Sequence, residues 1–441
     1  MKLTRRESLG IGLAAGAGVA LAGCNRLPGL DARREPVAPG APNDPVDRVL
    51  DRVGFGPTQA DRERVRKMGI PAFLDEQLAP KDGFANDEPV LALKLRHLEA
   101  FELESAELRD EPDHEVLRQL QQATIVRAVY SRWGLRERMV DFWTNHFNIY
   151  ARKGLAAYRV PKDQTDVVRA HALGSFPEML RASAHSTAML VYLDNQVNVA
   201  GVPNENYARE LMELHTLGVG GGYTQRDVQE VARCFTGWTH ETRLLRPRGQ
   251  FRFNADLHDD GPKTVLGHAI PAGGGEKDGQ RVLDILIGHP STGKFLAKKL
   301  CRYFLGEDGQ ALEPTVAEAY RKSNGDIPSM LRPILSSKAL LAGRGVARRP
   351  FDYLAACLRA TGADTDGGKA VQDHLERMGQ PLHQWPMPDG YPDKTAAWTG
   401  SLLARWNFAL ALCANEIRGT RVPDEVQVLA SNLCAPAFQW R

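Results

Sequence analysis

The sequence predicts a mainly α fold, a large multi-helix domain with a small inserted β-hairpin near residues 250–267. Three observations lead there. From Asp47 onward, apolar residues recur at helical spacing through segment after segment. Pro112, Pro177, Pro203 and Gly218 punctuate those segments, as residues that interrupt or end helices do. One region carries a strand signal: Gln250-Phe251-Arg252-Phe253 and Lys263-Thr264-Val265-Leu266, separated by His258-Asp259-Asp260-Gly261.

The elements follow in order. Thr4-Arg5-Arg6-Glu7-Ser8-Leu9 precedes an uncharged run from Leu9 to Leu21, closed by Leu21-Ala22-Gly23-Cys24. Charged, apolar and small-residue regions in that order make residues 1–23 an export signal, and the run is too short to span a bilayer. The arginine pair points to the twin-arginine route, which carries proteins already folded. The ending resembles a lipoprotein box, so Cys24 is the candidate lipidation site and membrane anchor. The expected location is the periplasm or outer cell envelope. Residues 24–45 form a Pro-rich tether with Pro28, Pro36, Pro39, Pro42 and Pro45, a composition that favours extended chain. The helical domain, 46–441, begins with Val46 to Val53, then Gly54-Phe55-Gly56-Pro57-Thr58, then a charged helix through Met68. Residues 88–150 read as two or three long helices broken at Pro112. Asn204 as N-cap and Gly218 as C-terminal stop bound a helix of about four turns. Thr224 and Asp227 form a capping-box variant at the next helix. Helices resume at Asp278 and run to about Gly362; a Pro/Gly/aromatic loop over 379–393 precedes a closing helix from Trp398. There is no repeat at solenoid periods.

Composition narrows the function. The leader residues Lys2, Arg5, Arg6 and Glu7 carry the whole formal excess of +2, leaving the rest of the chain neutral. No nucleic acid partner is expected, since its phosphates call for a basic surface. Cys234, Cys301, Cys357, Cys413 and Cys434 are scattered without a Cys-x-x-Cys pair, which argues against a thiolate metal site or a dense disulfide framework. A single bridge stays open; burial as small hydrophobes is the other reading.

Polar residues of unusual density lie between His146 and His258. At about 100° per residue, Glu205, Asn206, Arg209, Glu210 and Glu213 share one arc of the 204–218 helix. That arc can face water, its Glu205–Arg209 and Arg209–Glu213 pairs contributing a few tenths of a kcal/mol each. It can also line a cleft, with Glu210, Glu213 and Asp194 as catalytic carboxylates and Arg209 orienting an acidic group. His146, His215, His258 and Asp259 are candidate ligands of a divalent metal; His146 and His215 also read as hydrogen-bonded core residues, and His258 and Asp259 as the ordinary polar residues of a hairpin loop. Asn145, Asn195, Asn206, Tyr207 and Trp238 are candidate substrate contacts, the aromatic ones by stacking on sugar rings. Gly288-His289-Pro290-Ser291-Thr292-Gly293-Lys294-Phe295 fails as a phosphate-binding loop, because Phe295 stands where Ser or Thr is needed and the preceding segment reads as helix.

Asn145-His146-Phe147, Tyr192-Leu193-Asp194-Asn195, the stretch Asn204 to Gly218, Thr236-Gly237-Trp238, His258-Asp259, His289-Pro290-Ser291-Thr292, Gly325-Asp326-Ile327 and Gly390-Tyr391-Pro392 together resemble domain-of-unknown-function family 1800, from about residue 46 to 416. The resemblance implies an exported, largely helical protein often encoded beside an exported family 1501 protein, a candidate partner. It brings no reaction. The sequence therefore supports two functions: a hydrolase or lyase of the cell envelope acting on a polar polymer such as a polysaccharide, or a non-catalytic helical lipoprotein that binds or scaffolds a partner or polymer.

Overall fold

A computed structural model describes residues 44–80, 83–84, 88–242, 249–342, 345–423 and 430–441. The segments expected to form the export signal and the tether up to residue 43, with Cys24, lie outside the described residues. Helices dominate, as the spacing predicts, and among the described residues the named strands form three two-stranded antiparallel sheets. Among the described residues no helix is long and apolar enough to cross a membrane.

Several expected elements appear with the expected boundaries. Helix α1 spans Pro45–Val53, and α2 spans Asp113–Tyr130 with Pro112 as its N-cap. Helix α3, Gly134–His146, delivers the Asn145-His146 pair to its C-terminal end. Thr224 and Asp227 close the capping box of α5, Gln225–Cys234. Glu276–Gly288 (α6) and Pro290–Leu305 (α7) meet at His289, whose ring accepts from the Ser291 amide. The rejected phosphate loop is thus a helix–helix corner. Pro350–Ala360 (α8) and Leu402–Cys413 (α9) follow, and α9 begins four residues after the expected Trp398, which lies in the 3-10 helix Thr395–Ser401.

Two expectations need correction. The helix over 204–218 is α-helical only as α4, Asn206–Glu210; Leu211–Thr216 continues it as π-helix. The Leu217 amide reaches back five residues to the Met212 carbonyl, and the Thr216 hydroxyl donates to Leu211. The extra residue per turn rotates Glu213 and His215 away from the positions that 100° spacing assigns. Asn204 caps by an Asx turn to the Asn206 amide. The second correction concerns strand pairing. Phe251–Phe253 (β2) pairs with Trp238–His240 (β1), and Lys263–Val265 (β3) pairs with His268–Ile270 (β4) around Leu266-Gly267. The β structure falls where the alternation predicts, but the His258-Asp259 segment joins two hairpins rather than forming the tip of one.

Helix α2 bridges the two large apolar clusters. Leu117 and Leu120 pack into the one that holds Trp143, Phe176, Trp238 and Leu296; Val126 and Val129 pack into the one that holds Phe351, Leu358 and Phe408. Cys234, Cys301, Cys357 and Cys413 are unpaired and buried among these side chains, and Cys434 is also unpaired. This is the small-hydrophobe reading.

Where α3 meets the start of α8, an ionic network is buried, with Arg349 and Arg441 reaching the wall of a cleft. Arg138 bonds Asp352 and the Gly54 carbonyl, Arg349 bonds Asp141 and Asp352, and Arg441 approaches Asp352 at 3.8 Å. All three guanidinium groups lie over the Tyr303 ring, whose hydroxyl donates to Asp141 at 2.6 Å. Three cations thus surround two carboxylates.

Candidate functional site

The polar residues singled out in the sequence are each placed, and most serve the fold. Tyr207 and Trp238 are 1% and 0% exposed and pack on the Phe235 ring, so neither can stack on a sugar. Asn195 is buried and donates to the carbonyls of Phe235 and Trp238; Asn206 donates to the Leu193 carbonyl. Asp194 adopts the left-handed conformation and pairs with Lys153 at 2.8 Å. Arg209 is shared between Glu205 and Gln225. Asp259 pairs with Arg233, and buried His258 is held by Thr236 and lies 3.5 Å from Asp278, which Lys263 neutralises.

The proposed metal ligands do not converge. His146 and His215 have rings 6.1 Å apart, and His258 and Asp259 belong to the separate Thr236–Asp278 network. Among the described residues no group of three or more His, Cys, Asp or Glu side chains is arranged to hold a metal. Both His146 nitrogens are also occupied: Nε2 donates to the His215 carbonyl at 3.1 Å, and Nδ1 accepts from Lys299 Nζ at 3.0 Å.

That last contact leads to the site. Lys299 stands on α7 in the wall of a cleft of about 830 Å³. The opposite wall is the loop 389–394, and the ends are closed by residues 217–221 and by Val346, Arg349 and Arg441. The Asn145-His146-Phe147-Asn148 motif builds this arrangement. Asn145 accepts from the Tyr391 amide at 2.7 Å and donates to the Tyr391 carbonyl at 3.0 Å. Asn148 donates to the carbonyls of Trp385 and Met387. The two asparagines therefore fix the loop while His146, between them, fixes Lys299. Gly390 is required at φ 77, because a Cβ there would strike the Asn145 carbonyl. Gly218, at φ 81, lets the 217–221 turn lie against the Phe295 ring.

The electrostatics of the cleft are unusual. Lys299 has a neutral imidazole as its hydrogen-bond partner, and burial of its ammonium pushes the pKa down to about 8, against weaker opposing pulls from Asp393 and Asp389. The same burial and the nearby lysine hold His146 well below the ordinary histidine range, so it stays neutral. His215, behind it, is pushed down to about 3 by burial. An amine with that pKa is a proton acceptor in a useful fraction of molecules at neutral pH, and pKa values displaced toward operating pH mark acid–base groups. Glu210 is outside the cleft lining but within electrostatic reach of Asp389 on the loop. Its carboxyl is pushed up by burial first, then by repulsion from Glu213 and Asp389, while Glu213 accepts from the Tyr223 hydroxyl.

Asn145 and His146 are thus the sequence candidates that belong to the cleft, as its supports. Lys294, Lys298, Lys299, Arg302, Tyr303 and Arg349 were missed. A signal existed: Lys294, Lys298 and Arg302 recur every fourth residue, which puts them on one helix face.

A family model described as Protein of unknown function (DUF1800) matches residues 48–439. No curated protein and no solved structure matches the chain.

Proposed function

We propose that this chain, which belongs to the family of proteins of unknown function DUF1800, is a cell-envelope hydrolase or lyase of a polar polymer, with Lys299 as the proton acceptor in the α7 cleft. The observation that carries this reading is the Lys299 Nζ–His146 Nδ1 contact of 3.0 Å, made without a carboxylate partner on the wall of a polymer-sized cleft. The His146 tautomer is fixed by its bond to the His215 carbonyl, so Nδ1 always presents a lone pair to the lysine. Held on one side by the imidazole, the unprotonated amine keeps its own lone pair for a substrate C–H or a water. Export through the twin-arginine route and anchorage at Cys24 belong to the same proposal, and both rest on residues 1–24 alone.

The test is a polysaccharide activity screen on the exported protein, followed by Lys299→Met in a variant shown to be folded. Loss of at least about a hundredfold in kcat, with little change in KM, is the expected result for a general base. Full activity in Lys299→Met sinks the assignment.

One observation favours a second reading, a non-catalytic protein that scaffolds an exported partner such as a family 1501 protein. Leu403, Trp406 and Leu410 on α9 are 68%, 43% and 55% exposed, and Trp440 is 46% exposed beside them. Apolar patches of this kind mark interaction surfaces. Capture of that partner by wild type but not by Leu403→Glu/Trp406→Glu, with Lys299→Met still competent, would move the balance to the scaffold.

A further inference from the structure

We propose that the α7 cleft takes an acidic glycan, a hydroxyl-rich chain carrying carboxylates at intervals, and that Arg441 anchors one of those carboxylates at the inner end. This rests on the reading of the cleft as the functional site and names its substrate class.

Two independent observations carry it. The first is the buried charge imbalance. Arg138, Arg349 and Arg441 are 1%, 7% and 6% exposed, and the carboxylates they surround are Asp141 and Asp352. Arg441 is the surplus partner. Its Nη2 donates to the Tyr303 carbonyl, but Nε and Nη1 have no hydrogen-bond partner, and its contact with Asp352 is long, 3.8 Å. Both Arg441 and Arg349 line the cleft. A buried guanidinium with two unsatisfied donor nitrogens is costly, and an anion that reaches it from the cleft offsets that cost by supplying the missing acceptor.

The second observation is the outer wall. Lys294 and Lys298 are exposed on the cleft face of α7, and Lys394 is exposed on the opposing loop. None of these three makes an ion pair among the described residues, whereas Arg302 on the same face is paired with Asp393 at 3.4 Å. Lys294, Lys298 and Arg302 climb the helix in steps of about 6 Å, the scale of one sugar residue. The cations thus form a track that ends at Arg441.

The same lining excludes a densely charged polyanion. Glu313, Asp389 and Asp393 also face the cleft. Carboxylates repel a phosphate at every unit of a chain, but they accept hydrogen bonds from hydroxyl groups. A track of lysines interrupted by acceptors therefore suits a chain with sparse negative charge and abundant hydroxyls. The near-neutral chain as a whole agrees, since nucleic acid binding calls for a broad basic surface.

The experiment measures binding of uronate hexasaccharides (galacturonate, mannuronate, guluronate and a glucuronate-containing hexamer) by calorimetry, beside neutral maltohexaose, oligothymidylate and linear polyphosphate. At least one uronate hexamer is expected to bind more than about tenfold tighter than maltohexaose, a difference of about 1.4 kcal/mol. Lys294→Gln/Lys298→Gln should abolish that preference and flatten the dependence on salt. Arg441→Gln should lower affinity while leaving the outer salt dependence intact; if it fails to fold, Arg441→Lys serves, its single ammonium unable to replace the several donors of the guanidinium. Equal binding of neutral and acidic hexamers, or tighter binding of oligothymidylate or polyphosphate, overturns the inference. The two proposals fail separately. Uronate binding with unchanged turnover in Lys299→Met sinks the catalytic reading and leaves this one standing; turnover of a neutral glycan abolished by Lys299→Met does the reverse.

Discussion

Replacing Lys299 by methionine removes a cation that the fold holds at a disadvantage, and the size of that disadvantage is readable from pH. The amine falls from an ordinary 10.5 to about 8 because burial penalises its charged form. At pH 7 about one molecule in ten then carries a neutral amine, against about one in three thousand for an unperturbed lysine. The folded pKa lies below the unfolded one, so between pH 8 and 10.5 the unfolded chain binds the extra proton and stability rises with pH. Over that window the gain has a ceiling of about 3 kcal/mol, and partial solvation of Lys299 brings the expected figure to about 1–3 kcal/mol. Methionine abolishes the pH-dependent part. It also leaves His146 Nδ1 without its donor, a loss of about 1–3 kcal/mol. That loss is constant across the window, because His146 stays neutral throughout. The carboxylates whose fields reach Lys299 are Asp393 and Asp389, and both pull against the effect of burial. The assay is urea unfolding of wild type and Lys299→Met at intervals from pH 7 to 10. The wild-type curve should climb toward, or past, that of the variant as pH rises. Parallel curves would mean that the ammonium is not desolvated, and the base assignment would lose its physical ground.

Three further predictions follow from the supports of the cleft. Gly390→Ala places a Cβ against the Asn145 carbonyl at a φ of 77, so the 389–394 loop should detach. Thermal unfolding should show about 1–3 kcal/mol of lost stability, and ligand binding should be lost with it. Asp352→Asn leaves Arg138, Arg349 and Arg441 with one carboxylate, Asp141, and should cost about 3–5 kcal/mol in urea unfolding; a loss below about 1 kcal/mol would contradict the burial of Asp352 and its dependence on the three guanidinium groups. Glu210 has its folded pKa raised, so its ionisation disfavours the fold once pH exceeds the ordinary glutamate range. Glu210→Gln should therefore be more stable than wild type at pH 7 and indistinguishable from it at pH 3; equal stability at both values would contradict the burial and repulsion that set the shift.

How much of this was legible in the sequence differs by level. Helix boundaries were readable where a local signal decides them, such as Pro112 ahead of α2 and the Thr224–Asp227 box of α5. Gly218 reads as a helix stop, and it adopts a positive φ. The face of the 204–218 helix was misread because a π turn needs no special residue and shifts everything beyond Glu210. Trp238 and Tyr207 show a different limit. An aromatic ring suits a sugar and a core equally, and only three-dimensional packing decides between them. The cleft escaped because it joins residue 145, residues 217–221, α7, residues 346–349, the 389–394 loop and residue 441. Periodicity reports which residues share a helix face, not what that face meets. The Asn145-His146-Phe147-Asn148 motif stands out in the sequence, yet its polar groups hold the loop and the lysine rather than a substrate.

The central claim is that Lys299 sits in a ligand-accessible cleft as a weakly basic amine held by neutral His146. Competitive labelling of lysines with an amine-selective reagent across pH 6 to 12, resolved by mass spectrometry, measures this directly. The account predicts half-maximal labelling of Lys299 near pH 8, and protection of Lys299 by a bound uronate hexamer. Labelling with an ordinary midpoint between pH 10 and 11, unaffected by any of the four uronate hexamers, would contradict it.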